Sequence, residues 1–144
     1  MDLDQIQQWI PNRAPWLWVD EVVQLDDQTI HARKHLSADL PVFQGHYPDF
    51  PLLPGVLQCE AALEASAILI AHMGVSTTGR IPVAARMNNV KFKRMVGPDE
   101  TLDIFVKLQD RLQDTFYLRG RVEVDGQVST SLDFVTTATP RPES

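Results

Sequence analysis

The chain contains one cysteine, Cys59, so no intramolecular disulfide can form and no cysteine-based metal framework is available. A reducing, cytoplasmic setting is the expectation. No stretch approaches the roughly 18 uninterrupted apolar residues of a membrane span. The opening MDLDQIQQWIPNR carries early acidic residues and lacks the basic and apolar character of a secretory or transit segment. Basic residues are also in deficit, 13 Lys and Arg against 19 Asp and Glu, for a formal net charge of −6. That balance argues against a nucleic-acid partner, whose phosphates must be met by a cationic surplus. It leaves room for a local basic patch facing something acidic. Internal repeats, low-complexity blocks and linkers are missing too, so the 144 residues, 44% of them hydrophobic, are expected to form one domain over 1–144.

What is present divides into a mostly apolar helix and a set of strands. Leu3, Ile6, Trp9 and Ile10 lie at helical spacing before Pro11, predicting a short amphipathic N-terminal helix within residues 1–10 that acts as a lid or brace. Leu17–Leu25 and Thr29–Leu36 read as two strands of a hairpin turning at Asp26-Asp27. From Ala38 to Pro54 the chain carries Pro41, Gly45, Pro48, Pro51 and Pro54, which predicts a rigid loop without helix. Beyond Pro54 comes a helix apolar on nearly every side, which must be buried all round, with Gly74 as its stop. Val83–Phe92, Thr101–Asp110, Thr115–Val124 and Gln127–Thr137 read as strands, with turns at Gly97-Pro98-Asp99 and Asp125-Gly126 and a frayed tail over 138–144. The packing solution is α+β: an antiparallel β-sheet wrapped around a long central helix.

The chemistry is concentrated between Gly45 and Glu60. His46 sits in the proline-stiffened loop, where a general base can be held at small entropic cost. Gly55 follows Pro54 in the first helical turn, so its N–H faces outward at the positive end of the helix dipole, suited to a developing oxyanion. Glu60 lies further along the same helix, where burial would favour the protonated form and make it a proton donor. Base, acid and oxyanion donor are the three parts that β-elimination of water from a 3-hydroxyacyl thioester requires. Glu64, one turn beyond Glu60, faces the same way, and repulsion between the two carboxylates would favour protonation of one of them.

At these residues the sequence resembles the FabZ/FabA family of 3-hydroxyacyl-acyl-carrier-protein dehydratases, more closely the FabZ branch. The likeness rests on His46-Tyr47-Pro48 leading to Pro54-Gly55-Val56-Leu57, on Glu60 fourteen positions beyond His46, on Ile10–Pro15 with Leu17–Asp20, and on Val90–Arg94 with Val96 and Pro98. The resemblance implies a hotdog fold and a homodimer or trimer of dimers in which His46 of one chain faces Glu60 of the other. It also implies the Gly55 amide as oxyanion donor beside a supporting Val56, the Leu52 carbonyl as the group that orients His46, and no cofactor or metal. The substrate would arrive on an acidic acyl carrier protein, giving Lys91, Lys93 and Arg94 a docking role. Four positions depart from the family pattern: Asp49 for a usual Gly, Glu64 for a usual Gln, Asn88 for a common Asp, and Val83 for a bulky aromatic at the acyl tunnel.

Blander readings stand beside these. Glu60 could be a buried carboxylate paired with Arg86. His31, His35 and His72 are expected to be structural, Cys59 a core thiol, and Trp9, Trp16 and Trp18 packing anchors. At the level of function, a hotdog thioesterase and a non-catalytic acyl-binding subunit are the alternatives to a dehydratase.

Overall fold

The computed structural model describes residues 1–74 and 80–140. Elements follow in the order α1 (Leu3–Trp9), β1 (Glu21–Leu25), β2 (Thr29–His35), α2 (Pro41–Gly45), α3 (Gly55–His72), β3 (Arg80–Phe92), β4 (Thr101–Leu112), β5 (Thr115–Val124) and β6 (Gln127–Pro140). The strands form one six-stranded sheet in the order β1-β2-β4-β5-β6-β3, and every neighbouring pair is antiparallel. This sheet curls around α3, the hotdog arrangement expected from the sequence.

Alternation along the strands explains which way the sheet curls. Leu102, Ile104 and Val106 of β4, and Phe116, Leu118 and Val122 of β5, are buried at every second position and meet the helix. From α3 the buried set is Leu57, Gln58, Cys59, Ala61, Ala62, Glu64, Ala65, Ser66, Ile68, Leu69 and Ile70. Each large aliphatic side chain so buried contributes about 1.5–3 kcal/mol. Small residues set the closeness of approach. A Cβ added at Gly120 of β5 would lie 3.2 Å from the Phe134 ring and 3.3 Å from Ala62 Cβ, so glycine lets the helix settle onto the sheet at this point. The polar Gln58 is accommodated because its Oε1 accepts from the Ser129 hydroxyl at 2.6 Å and the Thr130 hydroxyl at 2.8 Å.

Burial all round α3 is not what the fold delivers. Val56 is 66% exposed, and Glu60, Leu63, Ala67 and Ala71 are only partly covered. These positions follow the helical period and form one stripe that the sheet leaves open. Beside it stands β3, 13 residues long and paired only with β6. Val83, Met87 and Phe92 on this edge strand are 42%, 40% and 55% exposed. A long edge strand with apolar side chains is a template for pairing with another chain.

Several local expectations need correction. The proline-rich loop does contain helix: α2 begins at Pro41, where proline fits because the first helical N–H has no intrahelical partner. The first strand begins at Glu21 rather than Leu17, because the Trp18 N–H donates to Glu64 instead of to a neighbouring strand. The tail is ordered further than expected: Ala138–Pro140 extend β6 by pairing with Arg80–Pro82, while 141–144 lie outside the described residues. The turn expectations hold, with Asp125 and Gly126 both at positive φ, 53° and 77°, as a two-residue hairpin requires. Helix α1 is a brace. Its capping box joins Asp2 and Gln5, Ile6 is fully buried, and Trp9 stacks on His72 at 5.9 Å.

Candidate active site

Helix α2 delivers His46 to its place. The His46 N–H donates to the Val42 carbonyl at 3.0 Å, closing that short helix, and the next residue, Tyr47, takes a left-handed φ of 56°. A bulky residue in that region costs about 1–3 kcal/mol, so the surroundings must hold the turn. Tyr47 O accepts from the Phe50 N–H at 2.9 Å, and the Leu53 N–H donates to Val96 O at 2.8 Å, anchoring the loop to the segment after β3. The His46 Nδ1 lies 2.9 Å from the Leu52 carbonyl oxygen. A carbonyl can only accept, so Nδ1 carries the proton and Nε2 is left with a free lone pair, the form of a general base. The Leu52 carbonyl is thus the backbone group in contact with the His46 ring.

Gly55 opens α3 after Pro54, which supplies no side-chain cap. The Gly55 and Val56 amides therefore stand at the positive end of an 18-residue helix, while the Leu57 N–H donates to Pro54 O at 3.0 Å. A Cβ here would stand 2.5 Å from Cδ1 of Phe92, so a larger residue must move that ring. Because Phe92 is half exposed, Gly55→Ala should leave the melting temperature nearly unchanged while displacing the ring across the first-turn amides. The expected loss in kcat is about tenfold or more, checked by measuring turnover and thermal melting on the same variant.

Glu60 is partly buried, less so than its helix suggested, and its partner is not Arg86. Its Oε1 accepts from the Trp16 indole Nε1 at 3.1 Å. Trp16 is 52% exposed and packs edge-on against Trp18, with ring centroids 6.2 Å apart. Of the three tryptophans it alone departs from a packing role by touching a candidate catalytic group, a link no sequence spacing announces. Glu64 is the deeply buried carboxyl, 2% exposed. Its Oε1 accepts from the Trp18 N–H at 2.7 Å. Burial, reinforced by the neighbouring Glu60 and only partly offset by the Trp18 bond and by Lys34, pushes its pKa up to about 8.

Glu60 and Glu64 line a cavity of about 390 Å³ together with Leu63, Ala67, Val83 and Thr136. Val83 thus lines the cavity beside Glu60. His46 is not among the lining residues. One chain presents the two halves of the expected pair separately, with the open stripe of α3 and the free edge of β3 beside the acidic half.

The remaining sequence candidates fall elsewhere. Arg94 is committed inside the fold, donating to Val124 O at 2.8 Å and Glu100 Oε1 at 3.2 Å. Lys91 and Lys93 line a larger cavity of about 860 Å³ on the sheet, with Lys107, Arg119 and Arg121. It contains neither His46 nor Glu60. Asp49 is exposed beside the His46 loop, and Asn88 is exposed on β3. The other histidines have structural partners: His31 with Asp103 at 2.7 Å, His35 with Thr101 at 3.1 Å, and His72 with Asp27 at 3.6 Å. Cys59 is buried and burial raises its thiol pKa, which keeps it protonated and unreactive. Among the described residues no group of three or more His, Cys, Asp and Glu is arranged to hold a metal ion, and no helix is long and apolar enough to cross a membrane.

Comparison with known proteins places this geometry. Residues 22–131 match the model of the ApeI-like family, described as ApeI dehydratase. The 3-hydroxyacyl-[acyl-carrier-protein] dehydratase FabZ of Rickettsia conorii is 33% identical over 135 residues, covering 93% of each chain. That of Erythrobacter litoralis is 35% identical, covering 92% of this chain and 89% of its own. Among solved structures, the dehydratase heterocomplex ApeI:P from Xenorhabdus doucetiae superposes with a TM-score of 0.80 at 17% identity, over 94% of this chain and 91% of that one. The PaaI protein of Escherichia coli gives 0.66 at 14% identity, over 81% of each. These two likenesses speak to the fold, and the sequence matches speak to the family. The chain belongs to the ApeI-like and FabZ dehydratases, a family of hydro-lyases.

Proposed function

We propose that this protein removes water from a (3R)-hydroxyacyl chain carried on acyl carrier protein, giving the trans-2-enoyl thioester, in fatty-acid or related lipid synthesis. The observation that carries the reading is the His46 imidazole held through Nδ1 on the Leu52 carbonyl. That leaves Nε2 to take a C2 proton of the bound thioester. Negative charge developing on the thioester oxygen is met by the Gly55 amide at the start of α3, with Val56 beside it shielding the first turn. Glu60 gives a proton to the departing 3-hydroxyl, which leaves as water as the C2–C3 double bond forms. The proton on His46 returns through solvent to reset the site.

His46 and Glu60 act from opposite subunits in this proposal. The separation of His46 from the Glu60 cavity, the open stripe along α3 and the free apolar edge of β3 support a homodimer built edge to edge, alone or as part of a trimer of dimers. Lys91 and Lys93, with Lys107, offer positive charge to the acidic carrier. Arg94 plays no part because its guanidinium is already spent on Glu100 and Val124. The work takes place in the cytoplasm, where the carrier delivers its acyl chain.

The test is to supply 3-hydroxyacyl and trans-2-enoyl thioesters of several chain lengths and follow the enoyl absorbance in both directions. Interconversion is expected. Thiol release without enoyl formation would point to a thioesterase, and silence on every chain length to a non-catalytic acyl-binding subunit.

A further inference from the structure

Glu64 is a carboxyl only 2% exposed, and its surroundings show in which form it can serve there. Glu64 Oε1 is occupied by the Trp18 N–H at 2.7 Å. Oε2 is buried without a hydrogen-bond partner, and Glu60 lies one turn away on the same helix. Both carboxyls line the same cavity. A neutral carboxylic acid has the outline and polarity of an amide: one oxygen accepts and the other side donates. With Oε1 accepting from the backbone, the neutral acid carries its proton on Oε2.

We propose that Glu64 is a positioning residue that works as the neutral acid, standing in for an amide, and steadies Glu60 from one turn away until its ionisation removes that donor and brings a negative charge against the proton-donating carboxyl. The inference rests on the dehydratase reading and adds to it a pH limit peculiar to this chain. The charged groups that bear on Glu64 are Glu60 from its own helix and Lys34 from β2, and Lys34 is already paired with Asp20 at 3.0 Å. Thr136 on β6 contributes only a hydroxyl, and Val83 and Ala84 on β3 are apolar. With Glu64 losing its proton near pH 8, kcat should fall as pH rises through that value.

The amide variant Glu64→Gln distinguishes the possibilities. It should keep kcat at neutral pH within about threefold of the parent, while the alkaline decline near pH 8 disappears. Glu64→Ala should lose activity at all pH values, since it supplies neither the acceptor for Trp18 nor the donor for Glu60. A parent profile with no decline there, an unchanged decline in Glu64→Gln, or a neutral kcat reduced more than about tenfold would overturn the proposal.

Thermal melting provides a readout free of substrate. The folded chain keeps the Glu64 proton up to about pH 8, whereas the unfolded chain releases it at the ordinary value of 4.5. The folded state therefore binds more protons in that window, and stability should decline as pH rises through it. Glu64→Gln should flatten that decline. If the protein turns over no thioester, the dehydratase reading fails and the positioning role falls with it. The melting series then still decides whether Glu64 is the neutral acid that the geometry requires.

Discussion

Replacing His46 by Ala, or Glu60 by Gln, is expected to lower kcat for enoyl formation by about 10²–10⁴-fold, the usual worth of a positioned general base or acid. The two changes remove different steps. Without His46 the proposed base for the C2 proton is gone, and the other histidines are engaged with Asp103, Thr101 and Asp27 elsewhere in the fold. Glu60→Gln keeps an oxygen for the Trp16 indole N–H, so the Trp16–Trp18 arrangement should survive while the transferable proton does not. Neither side chain is part of the buried core. Both variants should therefore melt close to the parent, which separates a catalytic loss from an unfolded one. Activity undiminished in both variants would remove His46 and Glu60 from the mechanism.

Phe134→Ala is the substitution expected to cost most stability, about 3–5 kcal/mol. The ring is 1% exposed and lies at the point where Gly120 lets α3 approach the sheet, with Ala62 on the facing helix. Neither glycine nor alanine can grow to fill the space, so the void would remain. For a domain of this size the loss corresponds to a fall in melting temperature of roughly 10 °C or more. Chemical denaturation should show an earlier midpoint with little change in slope. A change under about 1 kcal/mol would mean that the helix relaxes into the gap, contrary to the close packing that requires glycine at 120.

The architecture was legible in the sequence because its signals are local. The apolar helix after Pro54, strand alternation such as Leu102-Ile104-Val106, and the Asp125-Gly126 turn each depend on a few neighbouring residues. The His46–Leu52 contact was an implication of the family resemblance, not of the loop's own pattern. What sequence reasoning missed depends on distant partners. Trp16 meets Glu60 across 44 positions and Trp18 meets Glu64 across 46, and neither link has a periodic signature. The Trp18 bond also explains why apolar Leu17–Val19 does not become strand. Arg94 looked like part of a basic cluster with Lys91 and Lys93, yet Glu100 and the Val124 carbonyl claim it. Composition foretold a buried α3 but not its open stripe, which depends on where the sheet ends. Glu64 shows the converse: the i, i+4 spacing announced a carboxyl pair, and only the fold revealed how deeply Glu64 is buried and that its pKa is raised.

The division of the site between two chains is tested most directly by complementation. His46→Ala and Glu60→Gln, each inactive alone, are mixed, unfolded and refolded together. Random pairing makes half of the dimers mixed, each with one intact site of two, so turnover should return to about a quarter of the parent value. A mixture that forms mixed dimers and remains as inactive as either variant alone would contradict a site shared between subunits.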